Sequence, residues 1–427
     1  LIPPPLPDRL RGLTTAQLIL GILGITFSLM ALFVLVVLMV AGPMIPNFDT
    51  SQDNQLIFMG WIVGLVIILT IPSLVLSIQR LRGLPPPRPL QKTFLAASLA
   101  LVLIPLIYLA VNEAVTPSGS TWWTAPLKIL LALIPCWWFF ELGRLRLNGG
   151  SAQRLWGLSN FSMYLTLSLV IVVEIILLGI GLLAVSMWLI QQPDFLAVIQ
   201  QIQQQLQVNP LDIPDISIES LPILQSPELI IALIVGVSVI IPLTEEALKP
   251  LALWVFSKRN LTPAEGFVAG MVCGATFALI ESAFSIGSVP SEMWELSIAS
   301  RTGTGLLHII TAGVNGWALV STWNDGKWLR IALTYVLTVL VHGLWNFFAI
   351  LMGLSQVSTQ LSLPIDPGLV DLAIWGLAAI SVLLMVALIL MNRMLRNRAR
   401  PRFVVPPPVP YAHDPGVPPS LDGKAEG

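Results

Sequence analysis

The chain has 427 residues, of which 55% are hydrophobic and only 11% charged, with 22 basic against 23 acidic side chains. Soluble globular chains carry about 25% charged residues, so this composition excludes a cytosolic enzyme and a disordered chain and indicates a polytopic membrane protein. The mean hydropathy of +0.83 agrees.

Residues 1–15, LIPPPLPDRLRGLTT, are Pro-rich and contain no small-residue cleavage site after a short apolar core. They read as a cytoplasmic lead-in to a first permanent span. A span needs about 20 apolar residues. That rule predicts an all-α bundle of ten transmembrane helices at 16–42, 56–78, 93–112, 122–142, 160–190, 229–256, 264–286, 303–322, 329–352 and 367–391. Pro72, Pro105, Pro126, Pro135, Pro242 and Pro250 fall inside these segments and mark expected kinks.

The placement of charge tests the count independently, because Lys and Arg are retained in short cytoplasmic loops. With the N-terminus inside, 19 of the 22 basic residues fall on the inner side. The outer loops carry acids and, apart from Arg301, no base. Both termini are therefore expected in the cytoplasm; a plasma membrane and a prokaryotic setting are expected besides, though the charge pattern itself does not give them. The three remaining bases are Lys128, Lys249 and Arg301, all within or beside spans.

Five regions follow: the lead-in 1–15, a five-helix membrane region 16–190, an outer segment 191–228, a membrane domain 229–391, and a basic, then Pro-rich, tail 392–427. In the outer segment Phe195, Val198, Ile199, Ile202 and Leu206 recur at helical spacing against glutamines, which predicts an interfacial helix. The tail has the composition of a disordered cytoplasmic segment. Cys136 and Cys273 lie in separate apolar stretches and read as small fillers. The bilayer is the one expected environment; a nucleic-acid partner is not expected.

Spans six to nine concentrate the polar residues that a bilayer penalises. The sixth contains Glu245, Glu246 and Lys249, the seventh Glu281, the eighth Arg301 and His308, and the ninth His342 and Asn346. Charges cost about 2.5–3.5 kcal/mol each at a span centre, so these groups must face one another or water. Glu245 and Lys249 stand four apart in the orientation that favours pairing, while Glu246 points about 100° away. The pattern predicts one neutralised carboxylate and one free for chemistry. Pro242 and Pro250 each leave a carbonyl one turn back unpaired, as in a broken helix lining a cavity. Depth counting places the cavity on the extracytoplasmic side.

A carboxylate can activate water as a general base, a second acid or His can carry the proton, and His with Asn can donate to an oxyanion. Equally, Glu281, His308 and His342 could hold Zn2+ as a His2Glu set with an open position. Spacing alone does not choose between metal-activated and Glu-activated water. Intramembrane Glu and His also serve proton relays, so a transporter or proton-relay protein is the alternative class. Glu174 in the fifth span is unassigned: it could pair with Lys128 or belong to the site.

The motifs resemble a known family. EEALK at 245–249 is similar to EExxK, FALIE at 277–281 to FxxxE, and Arg301 to His308 followed by HGLWN at 342–346 to the later motifs of the PrsW intramembrane proteases. That family is related to the CAAX prenyl endopeptidases and bacteriocin-processing enzymes. The resemblance implies an endopeptidase that cleaves a membrane protein or peptide, typified by an anti-sigma factor. It implies Glu245 and Glu246 as the water-activating pair, Glu281 and His308 completing the centre, and His342 with Asn346 as oxyanion donors or metal ligands. Lys249 and Arg301 would balance charge. The prenyl endopeptidases have FxxxH where this chain has Glu281, so the resemblance does not extend to prenylated substrates.

Overall fold

The structure is a computed structural model that describes residues 8–44, 53–84, 93–114, 121–193, 195–197, 199–200, 203, 226–257, 260–288, 294–357 and 366–399. Among the described residues the regular elements are helices, without a strand, and ten of the helical segments are long and apolar enough to cross a membrane. The chain is a multi-pass helical membrane protein. The Pro-rich tail from 400 and most of the outer segment lie outside the described residues; of the expected interfacial helix, Phe195 and Ile199 are described and helical, and Val198, Ile202 and Leu206 lie outside.

Helix α1 spans Asp8–Ala41, α2 Asp53–Leu81, α3 Thr93–Val102, α4 Ile104–Ala114 and α5 Thr121–Arg144. The break between α3 and α4 falls next to Pro105, whereas Pro72, Pro126 and Pro135 sit within continuous helices. The fifth span begins earlier than its apolar run, at α6 (Ala152–Phe161), and continues through a π-helical turn at Ser162–Thr166 into α7 (Leu167–Leu189). Ser151 caps its start by accepting from the Arg154 amide. The polar first turns survive because they pack against protein: Ser159 hydrogen-bonds Thr276 at 2.9 Å, and Arg154 pairs with Glu265 at 2.8 Å.

The sixth span is broken as its prolines require. It consists of α8 (Pro227–Val235), a π-helical turn at Gly236–Ile240, α9 (Ile241–Leu248), and a short α10 (Leu251–Trp254) after Pro250. Pro242 has no N–H to offer the Ser238 carbonyl. In a bilayer such a group must be met by protein. The ninth span, α13 (Trp328–Val357), supplies the contacts. Gly343 comes directly against the Ser238 carbonyl, Asn346 donates from Nδ2 to Val237 O at 3.0 Å, and the Tyr335 hydroxyl donates to Leu243 O at 2.8 Å.

The seventh and eighth spans, α11 (Pro263–Ser288) and α12 (Trp294–Asp325), form the buried centre; α14 (Pro367–Ala399) closes the bundle. Helix α12 starts nine residues before its apolar run, with Glu295, Ser297, Ser300 and Arg301 in its first turns, which places His308 near mid-helix. Lipid offers no hydrophobic drive between helices, so close backbone approach through small residues does the work. Gly266, Gly270 and Gly274 recur every fourth residue on α11. A Cβ on Gly270 would strike the Ala312 carbonyl, and one on Gly274 the His308 carbonyl. The glycine stripe thus sets where His308 stands.

Replacing Gly270 by Leu should push α11 and α12 apart and lower the thermal midpoint of the purified protein in detergent by several degrees or abolish folded material. Gly181→Leu is the control, since nothing lies within 4 Å of its added Cβ. Equal midpoints for both variants would show that the close approach does not hold the pair.

Candidate active site

Lys249 closes α9 one residue before the Pro250 break, and its side chain is fully buried. A buried ammonium is tolerated only when its protons are met. Its Nζ lies 2.8 Å from Glu246 Oε1, 2.7 Å from His308 Nδ1 and 2.9 Å from Glu245 Oε2. The Phe277 ring, first residue of the FALIE segment, covers the cation at 4.8 Å from its centroid and meets the His308 ring edge-on. Lys249 therefore holds both glutamates, where the i to i+4 spacing alone pointed to Glu245.

The two glutamates occupy different environments. Glu246 accepts at Oε1 from Lys249, from Thr311 at 3.2 Å and from His342 Nδ1 at 3.0 Å, and at Oε2 from Asn315 Nδ2 at 3.3 Å. Asn315 donates in turn to Thr338 at 3.0 Å. Glu246 is saturated and away from the cavity. Glu245 lines the cavity, and its Oε2, although 2.9 Å from the ammonium, lacks a hydrogen bond of acceptable geometry.

His342 faces this oxygen. An ionised carboxylate only accepts, so the contact with Glu246 puts the ring proton on Nδ1 and leaves Nε2 a bare acceptor. Nε2 stands 3.9 Å from Glu245 Oε2. Two acceptors facing across such a gap require a proton, a water or a cation between them.

Glu281 forms the other wall. It pairs with Arg301 Nη1 through Oε1 at 2.7 Å and meets His308 Nε2 through Oε2 at 2.7 Å. The contact of Lys249 with His308 Nδ1 makes that nitrogen an acceptor, so Nε2 carries the proton toward Glu281. A cavity of about 460 Å3 opens between these groups, lined among others by Glu174, Glu245, Glu281, Arg301, His342, Trp345 and Asn346.

All eight residues singled out in sequence thus converge, in a network or on the cavity wall. Their pairing differs from the expectation in three respects. The trio whose ligand atoms lie within 4.8 Å of one another is Glu245, His308 and His342, whereas the expected zinc set had Glu281 in place of Glu245. Glu281 is occupied by Arg301 because α12 begins early enough to bring that arginine over it. Asn346 spends one N–H on Val237 O, where the break in the sixth span leaves an acceptor. Lys128 does not reach Glu174 but sits over the Trp294 ring at 5.3 Å. Sequence reasoning missed Thr311, Asn315 and Thr338. The first two lie three and seven residues beyond His308, on the same helical face, and that spacing was the available signal.

Two atoms of the trio, Glu245 Oε2 and His342 Nε2, are placed to receive a zinc ion, whereas His308 has both ring nitrogens engaged, by Lys249 and Glu281, and would join them by giving up its contact with Lys249. Glu245 Oε2 is a buried acceptor without a hydrogen bond of acceptable geometry and His342 Nε2 faces it at 3.9 Å, zinc binds O and imidazole N at about 2.0–2.2 Å, and His342 gives its other nitrogen to a carboxylate, as zinc-binding imidazoles do. Three carboxylates against two cations also leave the cluster of Glu245, Glu246, Lys249, Glu281 and Arg301 one negative charge in excess.

Breaking a buried pair costs about 3–5 kcal/mol, far more than an exposed one. Lys249→Met should therefore lower the thermal midpoint in detergent much more than Arg301→Met, whose side chain is 23% exposed against 0% for Lys249. Equal losses would remove Lys249 from the centre of the network.

Comparison with known proteins gives one family. Residues 213–391 match the model of the PrsW family intramembrane metalloproteases, which covers spans six to ten and leaves residues 1–212 unmatched. No curated protein and no solved structure matches the chain. Residues 213–391, which carry every residue of the buried network, are thus similar to the PrsW family of intramembrane metalloproteases.

Proposed function

We propose that the chain hydrolyses a peptide bond of a membrane protein or peptide within the cavity, with Glu245, His308 and His342 as the residues that would hold a zinc ion. The observation that carries this reading is the 3.9 Å gap on the cavity wall between His342 Nε2 and Glu245 Oε2, a buried oxygen without a hydrogen bond of acceptable geometry. Zinc bound there would supply an acidified water and a Lewis acid for the scissile carbonyl.

The remaining roles follow from position. Glu246 orients His342 and does not reach substrate. Lys249 holds both glutamates and fixes the His308 tautomer. Glu281, a cavity-lining carboxylate oriented by Arg301, takes the proton of the attacking water and returns it to the leaving amine. Asn346 has a second N–H beyond the one given to Val237, and it donates to the developing oxyanion.

The basic-residue pattern supports an orientation with both termini in the cytoplasm, and we take the setting to be a prokaryotic plasma membrane. The cavity residues of α12 are Ser300, Arg301 and Thr304, near the end that this orientation places outside. Substrate then enters from the outer leaflet, and a membrane-bound regulator such as an anti-sigma factor fits that geometry. The catalytic region is 229–391, and the tail and lead-in lie on the inner side.

The test compares new N-termini among membrane proteins in cells producing the wild type, Glu245→Gln or Glu246→Gln at equal abundance. Termini present with the wild type and lost in Glu245→Gln are expected. Glu246→Gln should also lose activity, with a larger drop in thermal midpoint than Glu245→Gln, because Glu246 accepts four hydrogen bonds in the network. Identical peptide maps for all three would contradict proteolysis and favour a proton-relay or transport role for the same cluster.

A further inference from the structure

The family match begins at 213, yet one wall of the cavity comes from α7, well outside it. Leu167, Val170, Ile171 and Glu174 line the cavity from this helix. Their spacing of three, one and three residues is a single helical stripe. On the opposite side of the same helix Leu169, Val172 and Ile176 are exposed, as lipid-facing residues are. Helix α7 therefore turns one narrow face to the cavity, and that face is apolar except for Glu174.

Four charged side chains line the cavity: Glu174, Glu245, Glu281 and Arg301. Glu245 is paired with Lys249 and Glu281 with Arg301. Glu174 has no ion-pair partner among the described residues, and its Oε1 is buried without a hydrogen bond. Lys128, the partner that the sequence offered for Glu174, is held over Trp294 instead. A buried acceptor left unmet is costly, and it becomes favourable when whatever fills the cavity brings a donor.

We propose that Glu174 is a specificity-determining residue: it receives a hydrogen-bond-donating side chain of the substrate, basic or polar, at one fixed position near the scissile bond. The surrounding stripe of Leu167, Val170 and Ile171 takes the apolar residues on either side. An otherwise apolar transmembrane segment is thus distinguished by a single donor, a choice that neither the zinc-holding trio nor Glu281 can make. This inference rests on the peptidase reading above and deepens it by naming the substrate class.

The experiment extends the N-terminus comparison to Glu174→Leu and Glu174→Gln, counting only the termini that depend on Glu245 and matching abundance and thermal midpoint to the wild type. Wild-type sites are expected to show Lys, Arg, Ser, Thr, Asn or Gln at one position. In Glu174→Leu, cleavage at those sites should fall about tenfold relative to sites with an apolar residue there. Glu174→Gln, which keeps an acceptor without the charge, should retain the Ser, Thr, Asn and Gln sites and lose the Lys and Arg sites. A fall shared equally by all sites, or no change at any, would overturn the assignment and leave Glu174 a wall residue. Absence of Glu245-dependent termini in the wild type would instead refute the peptidase reading, and this inference with it.

Discussion

A fully buried ammonium with no water to solvate it dictates the arrangement around it. Lys249 must place its protons on protein, and it does so on Glu246 and His308, with Glu245 as a close ion-pair partner. Those contacts fix which nitrogen of His308 carries a proton, draw two adjacent glutamates to one side of the bundle, and leave one of them facing the cavity. In hydrocarbon the cost of an unmet charge makes this network all or nothing. The saturated Glu246, with four donors, is the part of the site that resists change, and the under-satisfied Glu245 is the part left for chemistry.

Two backbone devices make the network possible. The glycine stripe of α11 lets α12 approach until the His308 carbonyl lies against Gly274, so the histidine enters the network from a rigid, buried helix. The broken sixth span shows its freed carbonyls to α13, which answers with Asn346 and Tyr335 and an unobstructed Gly343. The motif segment HGLWN thereby combines a site histidine, a contact point for the break, a cavity wall in Trp345 and an amide that spans both tasks. The N-terminal spans, which the family match does not reach, supply the remaining wall through α7.

Much of this was legible in the sequence. The ten spans follow from apolar runs, and the convergence of Glu245, Glu246, Lys249, Glu281, Arg301, His308, His342 and Asn346 follows from the cost of isolating any of them in lipid. Helix starts were less legible where polar first turns pack against protein, at Ala152 and Trp294, because hydropathy registers lipid exposure and not helicity. The early start of α12 is also why Glu281 is met by Arg301. The division of labour between Glu245 and Glu246 depends on Thr311, Asn315 and His342, which come from other helices and from tertiary contacts that spacing within α9 cannot reveal. The cavity stripe on α7 escaped notice because that helix is apolar on every side, which hides the one face that turns inward.

The account turns on which carboxylate stands with His308 and His342, and metal analysis of the purified protein decides it most directly. The zinc content of wild type, Glu245→Gln, Glu281→Gln and His342→Ala would be measured after purification without chelators. The account predicts about one ion per chain in the wild type and in Glu281→Gln, and its loss in Glu245→Gln and His342→Ala. Retention in Glu245→Gln with loss in Glu281→Gln, or a wild type that binds no metal even when zinc is supplied, would contradict it.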